Sequence, residues 1–97
     1  MARRVFQYEF EQNSHNSISY EFSLEEDEKM DLLMLEGTPF LHLNRSDMLM
    51  LARILIKMAH GDYDDGFHLH LKKDFNVDLP ERFVIVLSSG DSREEKP

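Results

Sequence analysis

Cysteine is absent from this 97-residue chain. That excludes disulfides, thiolate metal sites and cysteine nucleophiles together. The core must therefore hold by packing alone, which suits a reducing compartment. Tryptophan is also missing, and glycine occurs only four times, at positions that read as turns or termini. None of these glycines builds a phosphate-cradling loop, and no Gly-x-Ser-x-Gly elbow frames a serine. A nucleophile without a base and an orienting group is inert, so the chain reads as no enzyme and as needing no cofactor. No apolar run approaches the roughly 20 residues that span a bilayer. The start, Met1-Ala2-Arg3-Arg4-Val5-Phe6, is charged and passes into alternation instead of a continuous apolar stretch. It does not read as a targeting segment. These absences predict a cytoplasmic protein with no membrane partner.

Positive charge is scarce. Lys and Arg number 11 against 19 Asp and Glu, for a formal net charge of −8. A phosphate backbone repels such a surface, so nucleic acid is not an expected partner. A basic protein is, through complementary fields.

What is present is a 41% hydrophobic composition, enough for one globular domain at this length. Val5 to Glu11 alternates Phe6, Tyr8 and Phe10 against polar residues, and Ser17 to Leu24 alternates Ile18, Tyr20, Phe22 and Leu24. Both read as half-buried strands, joined as a hairpin across the polar stretch 12–16. Met30 to Glu36, Phe40 to Leu43 (after a Gly37-Thr38-Pro39 turn), Phe67 to Lys72 and Phe83 to Leu87 complete six strands. The last is the most apolar and reads as central. Residues 73–81 read as a polar connection with Phe75, Val77 and Leu79 tucked back.

One helix is expected from Asp47 to His60, capped by Asn44 or Ser46. Met48, Leu51, Ala52, Leu55, Met58 and Ala59 follow its period. Leu49, Ile54 and Ile56 widen the apolar surface, leaving Arg53, Lys57 and His60 as a narrow polar stripe. Gly61 ends it. The expected architecture is α+β: a single antiparallel-rich sheet of about six strands with the helix packed on one face. Residues 1–88 form the domain and 89–97 a disordered tail. Phe6, Tyr8, Phe10, Leu51, Leu55, Leu69, Leu71 and Ile85 are expected in the core. The helix carries more apolar surface than one small sheet covers, which leaves a homodimer open.

Two kinds of candidate site stand out. In Phe67-His68-Leu69-His70-Leu71 the two histidines share one strand face and the apolar residues the other. With His42 from a neighbouring strand they would make a three-histidine set of the kind that binds zinc. The expected reading is instead the wet side of a sheet, with no metal, and the three-histidine set is the alternative. The acidic loops are the second kind. Glu25, Glu26, Asp27 and Glu28 form four consecutive carboxylates, and Asp62, Asp64 and Asp65 follow the helix. The second loop is no calcium loop, because Gly66 and Lys73 occupy ligand positions of that pattern. Both loops are candidate contacts for a basic partner.

The order Leu41-x-Leu43, Ser46-Asp47, Leu51-Ala52, Ile54-Leu55, Met58-Ala59, then Gly66-Phe67-His68-x-His70, resembles small immunity proteins of bacterial polymorphic toxin systems, specifically immunity protein family 32. The resemblance covers about residues 40–87. It implies a cytoplasmic α+β protein that neutralises a toxin by binding it.

Overall fold

The computed structural model describes residues 2–12 and 17–88. The expected tail at 89–97 and the turn residues 13–16 lie outside them. Four strands, one α-helix and one short 3-10 turn follow in chain order: β1 (Met30–Leu35), β2 (Thr38–Leu43), α1 (Arg45–His60), β3 (His68–Lys72), the 3-10 turn Lys73–Phe75, and β4 (Glu81–Val86). The α+β class stands, but the single six-stranded sheet does not. β1 pairs only with β2, and β3 only with β4, as two separate antiparallel hairpins.

The missing strands have a physical reason. Segments 2–12 and 17–24 run alongside α1, and side chains take carbonyls of the second segment along the edge where a ladder would form. Lys57 Nζ donates to the Ser19 carbonyl at 2.9 Å, Tyr63 OH to the Ser17 carbonyl at 2.9 Å, and Arg53 Nη2 to the Glu21 carbonyl at 3.4 Å. A side chain seated on these alternate carbonyls occupies the edge along which a neighbouring strand would lie. The two hairpins are likewise bridged by a side chain. Arg82 on β4 donates to the Leu32 carbonyl at 2.6 Å and pairs with Asp31 at 2.7 Å, both on β1. With only two strands in each sheet, β4 has no central place.

The β1–β2 hairpin turns at Glu36 and Gly37, whose φ values of 53° and 82° suit the tight turn that matches strand twist. Its register pairs Met30 with Leu43 and Leu35 with Thr38, so the turn lies before Thr38-Pro39. Met30 is buried, while Leu33, Met34, Leu35, Phe40 and Leu41 are exposed. The base of this hairpin belongs to the core and its tip projects from it. In the second hairpin Leu71 faces Phe83 and Leu69 faces Ile85.

α1 begins at Asn44, whose side chain accepts from Asp47 N at 2.9 Å; this decides the cap in favour of Asn44 over Ser46. At the other end Gly61 N closes on the Lys57 carbonyl at 2.8 Å. Gly61 adopts an ordinary extended φ of −81°, so its requirement is space. An added Cβ would lie 2.6 Å from the Lys57 carbonyl oxygen, from Gln12 Oε1 and from the Tyr63 ring. Gly61→Ala is expected to cost on the order of 1–3 kcal/mol, the usual scale of overpacking. Urea unfolding is the measurement; a cost near zero would show that residues 12 and 63 relax freely.

The core consists of Met30, Met50, Ile54, Met58, Leu71 and Phe75, with Ile18, Tyr20, Leu69, Phe83 and Ile85 packed partly against it. This corrects the expected list. Leu71 is buried, but Leu55 is 46% exposed and Phe6 52% exposed; Tyr8, Phe10, Leu51, Leu69 and Ile85 are half-buried. Phe75 tucks in as expected, while Val77 does not. The helix is rotated relative to the expectation. Its inner face carries Asp47, Met50, Ile54, Lys57 and Met58. Lys57 can point inward because Glu21 meets its ammonium at 3.0 Å and Ser19 accepts from it.

Candidate functional site

The loop of four carboxylates is tied to the start of α1. Asn44 works in both directions: its Oδ1 caps the helix and its Nδ2 donates to the Asp27 carbonyl at 2.9 Å. Lys29 N donates to Asp47 Oδ2 at 2.6 Å. Met30 N donates to Asp74 Oδ1 at 2.8 Å. Asp74 holds φ 56°, a left-handed conformation that Asp tolerates better than most residues. The start of α1 and the 3-10 turn thus converge on one short stretch of chain.

The four acidic residues do not share one environment. Glu25, Glu26 and Asp27 are exposed, and Glu28 is half-buried. Burial, a hydrogen bond with Asp47 and the charges of Asp47, Asp27 and Asp74 push the Glu28 carboxyl up to about 7. Glu28 Oε1 and Asp47 Oδ1 are both buried without a donor among the other side chains. A proton on Glu28 removes the repulsion. Asp74 behaves oppositely: burial raises its pKa, but the Met30 N–H and the Lys73 and Lys29 ammonium groups outweigh it and hold the carboxyl below its ordinary value. Sequence reasoning missed this cluster. Asp47 read as the start of the helix and Asp74 as part of a polar connection, and nothing in their spacing joins them.

Asp62, Asp64 and Asp65 are exposed beyond the other end of the helix. Backbone bonds order this loop: Asp62 N donates to Gln12 Oε1 at 2.9 Å, and Phe67 N to the Asp64 carbonyl at 3.0 Å. Tyr63 stacks on Phe67 with centroids 4.6 Å apart. At about 1.5 Å per residue, a 16-residue helix separates the two acidic loops by about 24 Å. They are two patches at opposite ends of one rod.

Another carboxylate, Glu21, receives Tyr8 OH and lies 3.0 Å from Lys57 Nζ and 3.4 Å from Arg53 Nε. The Tyr8 hydrogen bond, with Lys57 and Arg53, lowers its pKa. This arrangement fastens segments 2–12 and 17–24 to the helix.

His68 and His70 are exposed on β3, with their rings edge-to-face at 5.1 Å. His70 Nδ1 lies 2.7 Å from Glu81 Oε1 and His68 Nδ1 lies 3.0 Å from the Gly66 carbonyl. His42 is on β2, whose partner is β1, so it belongs to the other hairpin. Among the described residues no group of three or more His, Asp or Glu side chains is placed to hold a metal ion.

The outward face of α1 is the remaining feature. Met48, Leu55 and Ala59 are exposed and Ala52 is half-buried. At about 100° per residue, these four positions fall within about 60° of arc. Their spacing of four, three and four was visible in the sequence; which way they would face was not. Among the described residues no helix is long and apolar enough to cross a membrane. No family model, no curated protein and no solved structure matches the chain.

Proposed function

We propose that this chain is a non-enzymatic cytoplasmic binding protein that docks on a basic macromolecule, in the manner of an immunity protein neutralising a toxin. The observation that carries the reading is the charge: −8 in all, with acidic loops exposed at both ends of one helix. Fields of this kind attract a positively charged partner and orient it before contact. Loops held by a rigid helix are a common place for binding residues. Both loops here are fastened by backbone hydrogen bonds, which lowers the ordering cost of association.

The test begins with the product of the neighbouring gene. Expressed alone it should arrest growth, and with this chain present it should not. With the pair in hand, association should slow markedly between low and physiological salt while dissociation changes little. Replacing Glu25, Glu26 and Asp27 by their amides, or Asp62, Asp64 and Asp65 by Asn, should slow association in the same way. A partner indifferent to salt and to both sets of substitutions would move the contact away from the acidic loops. Turnover of a small molecule in the absence of any macromolecular partner would remove the reading.

A further inference from the structure

Every buried residue among those described lies between positions 30 and 75, and none lies in segments 2–12 or 17–24. Ile18 and Tyr20 lean on the core from outside, Tyr20 edge-on to Phe75 with centroids 5.7 Å apart. The bonds that hold the two segments against the helix converge on one exposed carboxylate. Glu21 accepts from Tyr8 OH, which joins the first segment to the second, and meets Lys57 Nζ at 3.0 Å and Arg53 Nε at 3.4 Å. Farther along, Tyr63 OH holds the Ser17 carbonyl and Asp62 N the Gln12 side chain, both at 2.9 Å. Lys57 belongs to this clasp, although it is 8% exposed. Its ammonium meets Glu21 and the Ser19 carbonyl, both on segment 17–24. Lifting that segment removes these partners and admits water in the same movement, so no charge is left buried and unpaired.

From this arrangement we infer that segments 2–12 and 17–24 form a strap that opens as one unit ahead of the rest of the fold, with Glu21 as its latch and the cationic pair Arg53 and Lys57 beneath it. Regions with few buried apolar side chains open at a lower free energy than the core. Here the core cluster, Met30, Met50, Ile54, Met58, Leu71 and Phe75, includes no strap residue. The bond from Tyr8 to Glu21 makes the two segments leave together. Arg53 and Lys57 stand four apart, so they share one face of the helix. With the strap closed, the Glu21 carboxylate neutralises that face. With the strap open, the face is a basic patch on a chain of net charge −8, and it attracts carboxylates instead of repelling them. The strap is an autoinhibitory contact built from the chain's own acid.

The chain has no Trp, so Tyr20→Trp places a single fluorescent reporter at the contact with Phe75. Far-UV circular dichroism reports α1. In a urea titration of this variant the fluorescence should change at lower urea, and with a shallower slope, than the dichroism. Adding Glu21→Gln should raise the open fraction roughly three- to tenfold at a given urea. The fluorescence transition then moves to lower urea and the dichroism transition stays in place. The wild type supplies an independent measurement. At urea below the dichroism transition, chymotrypsin should cut after Tyr20 and spare the bonds after Leu71 and Phe75, because cleavage follows the open population. At the same urea, acetylation mapped by mass spectrometry should find Lys57 reactive, and without urea protected. Coincident transitions that shift together, or cleavage at all three bonds with one urea dependence, would make the strap part of a single cooperative fold and overturn the inference. A fluorescence transition unmoved by Glu21→Gln would overturn the latch, and Lys57 still protected after the fluorescence change would overturn the covered pair.

Discussion

Leu71→Ala is expected to lower the free energy of unfolding by on the order of 3–5 kcal/mol, and Leu55→Ala by less than about 1 kcal/mol. Leu71 has no exposed surface and belongs to the cluster formed by Met30, Met50, Ile54, Met58 and Phe75. Removing its branched end leaves a cavity lined by residues that other contacts hold in place, so collapse is limited. Leu55 is 46% exposed, and its truncation removes surface that is already wet. Paired urea titrations with unchanged slope decide the matter. Equal costs at the two positions would mean that α1 is rotated to bury Leu55. The contrast is sharp because both residues are leucines in regular structure, one turned into the core from β3 and the other turned to solvent on α1.

The second large effect is one of pH. In the folded chain the Glu28 carboxyl is raised to about 7 from an ordinary value of 4.5. The folded state therefore holds this proton more tightly than the unfolded state does. Its contribution is fully present below pH 4.5 and is lost as pH rises towards 7. The expected loss across that window is on the order of 1–3 kcal/mol, reduced because water reaches part of the pair. Asp74 and Glu21 act with the opposite sign. Their folded pKa values are lowered, so they stabilise above the ordinary carboxylate range and lose that contribution as pH falls below it. The expected profile peaks between about pH 4.5 and 5.5 and declines towards neutrality. Glu28→Gln replaces the titrating proton of this carboxyl by an amide hydrogen that does not titrate. It should flatten the decline and raise the urea midpoint at pH 7.5. An unaltered decline in this variant would assign it to the general acidity of the surface.

The sequence showed the elements better than their assembly. The end of α1, the acidic loops and the alternation that places His68 and His70 outside and Leu71 inside were all legible, because each depends on neighbours a few residues away. The helix's orientation was not. Apolar residues run almost all the way round it, so its period allows several inward faces. The choice is made by Glu21 and Ser19, more than thirty residues upstream, which satisfy Lys57 on the buried side. The same distance hid the strands that failed to form. Phe6, Tyr8 and Phe10 alternate as a strand should, but Ser17, Ser19 and Glu21 give their carbonyls to side chains of the helix and the loop after it. Of the candidate site, the loop residues could be named from their run of charge. The link between Glu28, Asp47 and Asp74 could not, since it requires three segments to meet.

The projecting tip of the first hairpin has a consequence for handling the protein. β2 has one ladder neighbour, so its outer edge has no strand partner among the described residues, beside Phe40 and Leu41, whereas the outer edge of β1 is engaged by Asp74 and Arg82. An open strand edge with apolar flanks is a template for another chain. At neutral pH mutual repulsion between copies of charge −8 keeps those edges apart. That repulsion vanishes near the isoelectric point of about 5.0. This is the pH range in which the Glu28 proton makes each molecule hardest to unfold. Conformational stability and colloidal stability thus have their optima at different pH, and a buffer chosen for the one forfeits the other.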